Sequence, residues 1–130
     1  MIILDTHIWI WWVHSDPLLP QGFERYIRAN VGGGLGVSIF SCWEVAKLDS
    51  SRKISLPVPI EDWLDMALAD TGIRLIGLTP QIIVEANKLP GQFHRDPADQ
   101  LIVATARVYR CPLVTMDTKI RQYPHVQTVP

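Results

Sequence analysis

The chain has 130 residues, of which 48% are hydrophobic and 19% are charged. This composition is typical of a globular protein and excludes a disordered chain. Its 12 basic and 13 acidic residues give a net charge of −1. Overall charge therefore provides no attraction to nucleic acid or to a membrane, and any such binding requires a local patch.

The first half of the chain alternates strand signals with helix signals. IIL at 2–4 predicts a short strand that ends at Asp5 and runs into a helix, and residues 17–30 carry apolar side chains at helical spacing. LGVSIF, 35–40, predicts a second strand. Ser41 is the predicted N-cap of the helix CWEVAKLDS, and Glu44 follows it at the spacing of a capping box.

The second half continues the alternation. Residues 60–72 predict an amphipathic helix, IRLIGL a third strand, and QIIVEANKL a short helix after Pro80. HRDPADQLIVATA, 94–106, opens another helix, PLVTM, 112–116, predicts a fourth strand, and VQTV, 126–129, is a candidate fifth. Such alternation predicts βαβ units, hence an α/β fold with a parallel sheet of four to five strands and helices on both faces. We expect residues 1–130 to form a single domain.

Acidic residues fall where strands end or where the following helices begin. Asp5 directly follows the first strand and Asp117 the fourth, while Glu44 and Asp99 lie in the predicted first turns of helices. Ligands of open α/β sheets bind outside the carboxyl ends of the strands, so these four acids are expected at one edge. Capping and helix-dipole roles are alternative explanations, strongest for Asp96 as an N-cap before Pro97 and for Asp99 as a dipole partner.

Converging carboxylates repel one another unless a cation lies between them. A site with oxygen ligands alone suits Mg²⁺ or Mn²⁺, whereas zinc prefers His or Cys. His7 and His94 have no partner at metal-binding spacing, and we interpret them as hydrogen-bonding neighbours. A hydrated Mg²⁺ supplies a nucleophile and neutralises phosphate charge, which predicts phosphodiester hydrolysis. The motifs GxGxxG, GxxxxGK[ST] and GxSxG are absent.

Four segments in this order resemble one family: ILDTHIWIWW, SIFSCWEVAKL, HRDPADQLIVATA and PLVTMDTKIRQYP. The chain is similar to PIN-domain proteins of the VapC type, the toxins of toxin–antitoxin pairs. The resemblance implies a three-layer α/β/α sandwich and a Mg²⁺-dependent endoribonuclease, with Mn²⁺ as an alternative ion. It also implies a small antitoxin partner and a homodimer.

The resemblance assigns roles to individual acids. It implies that the catalytic residues are Asp5, Glu44, Asp99 and Asp117. Three of them, Asp5, Asp99 and Asp117, are expected to hold the metal, and Glu44 to orient or deprotonate the attacking water.

The resemblance extends to residues around these acids. Thr6 and Thr115 match positions whose hydroxyl steadies a carboxylate or a metal-bound water. Asp96 is less uniform in the family, so its place in the metal site is left open. Gln100 stands where related sequences often carry Arg, which removes one phosphate contact.

Basic side chains near the predicted edge are candidate RNA contacts, although solvated helix faces explain them equally well. They are Arg52, Lys53, Arg95, Lys119 and Arg121.

Two alternative functions are considered for the chain. One is a phospho-acceptor receiver domain, which needs a phosphorylatable Asp after the third strand, whereas IRLIGLT ends without an acid. The other is a PIN-like scaffold without catalysis. The widely separated Cys42 and Cys111 favour reduced thiols, and we expect a cytoplasmic protein without a membrane segment.

Overall fold

The computed structural model describes residues 1–129. Its centre is a sheet of four parallel strands in the order β3-β2-β1-β4. The strands are β1 (Ile2–Leu4), β2 (Leu35–Ser38), β3 (Ile73–Ile76) and β4 (Leu113–Val114). The predicted strand at 126–129 is reduced to a single parallel bridge between Thr128 and Leu113. The prediction of an α/β fold with a parallel sheet of four to five strands is confirmed.

Seven α-helices accompany the sheet within residues 1–129. They are α1 (Thr6–Val13), α2 (Gln21–Asn30), α3 (Ile39–Ser50), α4 (Ile60–Leu68), α5 (Pro80–Ala86), α6 (Pro97–Tyr109) and α7 (Thr118–Gln122). Side chains of α1 to α4 form a hydrophobic cluster with Leu4 and Val37, while side chains of α5 to α7 form another with Ile3 and Ile76. Helices therefore cover both faces of the sheet, as predicted for a three-layer sandwich.

The sheet face toward α5 to α7 depends on a glycine in β2. A Cβ atom on Gly36 would lie 2.7 Å from Cδ1 of Ile3 and 2.7 Å from Cδ1 of Ile76. The missing side chain lets these two isoleucines from neighbouring strands close over β2, and both are at least 95% buried.

No helix within residues 1–129 combines the length and the apolar character that crossing a membrane requires.

The predicted boundaries of the second strand and its helix are wrong. The strand ends at Ser38, whose side chain accepts a hydrogen bond from the backbone N–H of Phe40, so Ser38 is the N-cap of α3. Ser41 and Glu44 consequently lie inside the helix, and Glu44 is in its second turn instead of its first. Ile39 and Phe40 read as strand because both are β-formers, but the cap at Ser38 starts the helix before them.

Candidate active site

The strand order creates a switch point beside β1. From β1 the chain builds the sheet outward through β2 and β3, and it returns later to place β4 on the other side of β1. The carboxyl ends of β1 and β4 therefore flank the position where ligands bind in open α/β sheets. Asp5 follows β1, and Asp117 comes three residues after β4. Both acids lie at this edge, as the sequence predicted.

Asp5 is the most buried acid of the set, with 7% of its surface exposed. Its Oδ1 accepts a hydrogen bond from the N–H of Thr6 at 2.8 Å, which caps α1, and its Oδ2 accepts one from the hydroxyl of Thr115 at 2.7 Å. The Thr115 hydroxyl in turn accepts the N–H of Asp117 at 3.0 Å. Both oxygens of the Asp5 carboxylate are therefore held in a fixed orientation by hydrogen bonds from this network.

Glu44 reaches the same network from α3. Its Oε1 accepts a hydrogen bond from the Thr6 hydroxyl at 2.5 Å, and the Ser41 hydroxyl lies 2.8 Å from the same Thr6 oxygen. A hydroxyl donates one proton, so Thr6 donates to Glu44 and accepts from Ser41. Burial raises the pKa of Glu44, opposed by the Thr6 hydrogen bond and reinforced by the charges of Asp5 and Asp96. Ser41 is therefore a support of the site that the sequence reading had taken for a helix cap.

Asp99 lies in the first turn of α6 and experiences the charges of all the other acids. Its pKa is raised from 3.8 to about 7, first by burial and then by the charges of the carboxylates of Asp117, Asp96, Asp5 and Glu44, in this order of effect. The charges of these four carboxylates act on Asp99 because the carboxylates lie near it at a place that is partly shielded from water. The loop at 89–96 thus returns the start of α6 to the carboxyl edge, as the sequence argument assumed.

Asp96 and Asp117 both cap helices. Oδ1 of Asp96 accepts the N–H of Ala98 at 2.9 Å, and Oδ1 of Asp117 accepts the N–H groups of Lys119 at 2.9 Å and Ile120 at 3.1 Å. The predicted capping role of Asp96 is confirmed. Asp117 combines a structural role with its position beside the other carboxylates, and its second oxygen, Oδ2, is not used by the cap.

Two histidines contact the acids. Nε2 of His7 accepts the N–H of Met116 at 3.0 Å, and its Nδ1 lies 3.6 Å from Oδ2 of Asp5. Nε2 of His94 lies 3.0 Å from Oδ2 of Asp99, at an angle that does not make a hydrogen bond. His7 is a hydrogen-bonding neighbour of the site, as predicted, whereas His94 lies beside Asp99 without the predicted hydrogen bond from Nε2.

The donor chemistry of the cluster fits a hard divalent cation, because carboxylate oxygens are the ligands that Mg²⁺ and Mn²⁺ prefer. Within residues 1–129, no three acidic, His or Cys side chains already surround one point at metal-binding distance. The charges of four carboxylates raise the pKa of Asp99, so these side chains lie close enough to repel one another. A cation that neutralised these charges would allow the side chains to approach.

The predicted basic residues do not form one group. Lys119 is the second residue of α7, two positions after the Asp117 cap, and Arg95 directly precedes the Asp96 cap of α6, so both border the acids. The Arg121 guanidinium lies over the ring of Phe23 in α2, 5.8 Å from its centroid. Arg52 and Lys53 come after the end of α3.

A parallel α/β sheet with carboxylates from several elements at its switch point defines a class of α/β domains with an acid-lined site. Within that class, the chain belongs to the PIN-domain family, whose model matches residues 2–126. It is 34% identical over 128 residues to Ribonuclease VapC22 of Mycobacterium tuberculosis, an alignment that covers 98% of this chain and 95% of that protein. The resemblance stated from the sequence is thereby confirmed.

Solved structures share the fold. VapBC2 from Rickettsia felis, bound to a DNA fragment from its promoter, matches with a TM-score of 0.70 and 18% identity over 99% of this chain and 98% of that chain. FitAcB from Neisseria gonorrhoeae matches with a TM-score of 0.70 and 18% identity over 100% of this chain and 97% of that chain. At this level of identity the two structures establish the fold.

Proposed function

We propose that this protein is a metal-dependent endoribonuclease of the VapC type, the toxin of a toxin–antitoxin pair. The relative that is 34% identical across 98% of the chain is named as a ribonuclease. The observation that carries the proposal is the hydrogen-bonded network that joins Glu44, Thr6, Asp5, Thr115 and Asp117 at the carboxyl edge of the sheet. A scaffold that only binds a partner has no need of a buried carboxylate and two half-buried ones held in this way.

The metal site in this proposal consists of Asp5, Asp99 and Asp117, and the ion is Mg²⁺ or Mn²⁺. When bound, the ion would neutralise phosphate charge and lower the pKa of a water molecule. Asp5 is already fixed by Thr6 and Thr115, so its geometry needs little reorganisation. Asp99 has a raised pKa, and a cation held here would favour its ionised form by offsetting the repulsion from the neighbouring carboxylates.

Glu44 acts on the attacking water. Its Oε1 is occupied by the Thr6 hydroxyl, which leaves Oε2 to accept a proton. Burial raises the pKa of Glu44 above that of an exposed glutamate and makes it a stronger base. Thr6, itself held by Ser41, keeps the carboxylate aimed toward Asp5.

The direct test is cleavage of end-labelled RNA by the purified chain in Mg²⁺ or Mn²⁺, with excess chelator as control. We expect internal cleavage that stops on chelation. Asp65→Asn, at an exposed acid of α4, is a matched control for Asp5→Asn. Absence of cleavage in both metals, with RNA binding retained, would favour the alternative of a catalytically silent PIN-like scaffold.

The partners belong to the same proposal. Structures that share this fold include the toxin–antitoxin complex from Klebsiella pneumoniae, with a TM-score of 0.63 and 18% identity. We expect a small antitoxin that suppresses RNA cleavage when it is co-purified, a homodimer in solution detectable by light scattering, and action in the cytoplasm as one domain. A monomer that is active without any antitoxin gene nearby would contradict this part of the proposal.

A further inference from the structure

A small pocket lies beside the carboxylates, between the loop that precedes α6 and the end of α7. Its volume is about 280 Å³, close to the lower end of small-molecule sites, which span roughly 300–1,000 Å³. This size suits one planar ring system with its substituents. Its lining residues are Gln92, Phe93, His94, Lys119, Gln122, Tyr123 and Pro124.

Two lining residues connect the pocket to the acids. The His94 ring has its Nε2 3.0 Å from Oδ2 of Asp99, and the backbone N–H of Lys119 donates to Oδ1 of Asp117 at 2.9 Å. A ligand in the pocket therefore lies next to the carboxylates that we assign to the metal. A nucleotide adjoining the cleaved phosphate would occupy such a position.

The pocket wall is held in place by contacts on both sides. The Tyr123 hydroxyl donates to the carbonyl of Pro90 at 2.5 Å, and its ring packs against Phe93 with centroids 4.7 Å apart. The side-chain amide of Gln100 donates to the carbonyl of His94 at 3.2 Å. Gln100 thus tethers the loop to α6. A preformed wall lowers the entropy cost of binding.

The side chains that face the pocket have the chemistry of base recognition. The half-buried ring of Phe93 offers a surface for stacking, and single-stranded RNA is commonly bound by bases stacked on aromatic side chains. Gln92 and Gln122 are exposed amides, each with a donor and an acceptor suited to a base edge. Lys119 adds a positive charge beside a polyanion.

We infer that this pocket, formed by Phe93, Gln92, Gln122 and Lys119, binds one unpaired nucleobase of the RNA next to the cleaved bond and sets the base preference at that position. The inference rests on the proposed endoribonuclease function. It adds to that function a binding site for one base and assigns the loop at 89–96 a role in base preference.

Photo-crosslinking tests the pocket without relying on cleavage. The full chain is irradiated with short single-stranded RNA in Ca²⁺, using 5-iodopyrimidines in one library and 8-azidopurines in a second. Trypsin separates the pocket from other aromatic residues, because Phe93 falls in peptide 89–95 and Tyr123 in peptide 122–130. We expect adducts on these peptides. Adducts only on peptide 29–47, which contains the stacked and partly exposed Phe40 and Trp43, or no adduct at all, would overturn the inference.

Substitutions provide the second test, read by sequencing the ends of cleaved random RNA. Phe93→Leu keeps apolar volume in the wall but removes the ring, and we expect kcat/KM to fall about tenfold, within the range for losing one base–aromatic stack. Gln122→Ala is expected to relax the preference for one base at a single position next to the cut. Phe40→Leu and Gln81→Ala are the matched controls on other surfaces.

The two proposals fail in different ways. RNA that crosslinks to peptide 89–95 in a protein that never cleaves it would reject the endoribonuclease and keep the base pocket. Cleavage with no adduct, and with the same base preference in Phe93→Leu as in the wild type, would reject the pocket alone. Thermal unfolding of Phe93→Leu identifies a folding defect, and the crosslinks of the wild type decide the question in that case.

Discussion

Replacing Asp99 with Asn tests whether the carboxylates really crowd one another. The pKa of Asp99 is raised to about 7, first by burial and then by the charges of Asp117, Asp96, Asp5 and Glu44. The folded protein therefore binds the Asp99 proton more tightly than the unfolded chain does. Ionisation of this group lowers stability progressively as the pH rises from about 4 to 7, and the loss stays constant above that range. An Asn side chain removes this loss.

The expected gain follows from the size of the shift. A change in pKa from 3.8 to about 7 corresponds to at most about 4 kcal/mol, since each tenfold change in proton affinity is about 1.4 kcal/mol. The Asp99 side chain is 20% exposed, so water screens part of this energy. Loss of a favourable charge at the start of α6 offsets roughly 0.3–1 kcal/mol. We expect Asp99→Asn to be more stable by about 1–2 kcal/mol, or about 4–8 °C in Tm for a chain of this length.

Thermal unfolding in excess chelator measures this effect at pH 5 and pH 8. The Tm difference between Asp99→Asn and the wild type should be about two- to threefold smaller at pH 5, and Asp65→Asn should show no comparable gain at either pH. Added Mg²⁺ should stabilise the wild type more than the variant, because the ion loses a ligand in the variant. A variant no more stable than the wild type at pH 8, or a difference that does not depend on pH, would refute the crowding of the acids.

Three further substitutions test other parts of the structure. Asp5→Asn should reduce RNA cleavage at least 100-fold with the circular dichroism spectrum unchanged, and a folded variant with full activity would reject Asp5 as a ligand. Thr6→Val removes the hydrogen-bond donor to Glu44. We therefore expect at least tenfold slower cleavage and a decrease of about 1–2 kcal/mol in the free energy of unfolding measured in urea. Cleavage at the wild-type rate would show that Glu44 does not need this hydrogen bond for its orientation. Gly72→Ala places a Cβ 2.7 Å from the carbonyl oxygen of Val31 at a φ of +83°, which should cost about 2 kcal/mol or more, and an unchanged Tm would contradict this strain.

Local patterns predicted the elements that are defined by their own residues. The β-rich run before Asp5, the Asp96–Pro97 start of α6 and the apolar face of that helix each follow from nearby side chains. The boundary between β2 and α3 could not be predicted from nearby side chains, because Ser38 and Ser41 are both residues that can cap a helix. Only the tertiary contacts separate them: the Ser41 hydroxyl contacts Thr6, while the Ser38 hydroxyl accepts the N–H of Phe40 and caps the helix.

In the candidate site, likewise, the sequence predicted which acids take part but did not predict the contacts between them. The order of acids along the chain, read against the rule that ligands bind at the carboxyl edge of a parallel sheet, was enough to nominate Asp5, Glu44, Asp99 and Asp117. The contacts between them join residues up to 110 positions apart, such as Thr115 and Asp5, and no local pattern encodes such a pairing.

The sequence by itself determined the alternation of elements, and so the class of fold and the edge where the acids belong, because strand and helix periods and caps are properties of short segments. Only the tertiary structure decided which hydroxyl supports which carboxylate, and that the loop at 89–96 encloses a pocket with α7. Those relations depend on how β4 and α6 return beside β1, and that return is fixed by burial of apolar surface on both faces of the sheet.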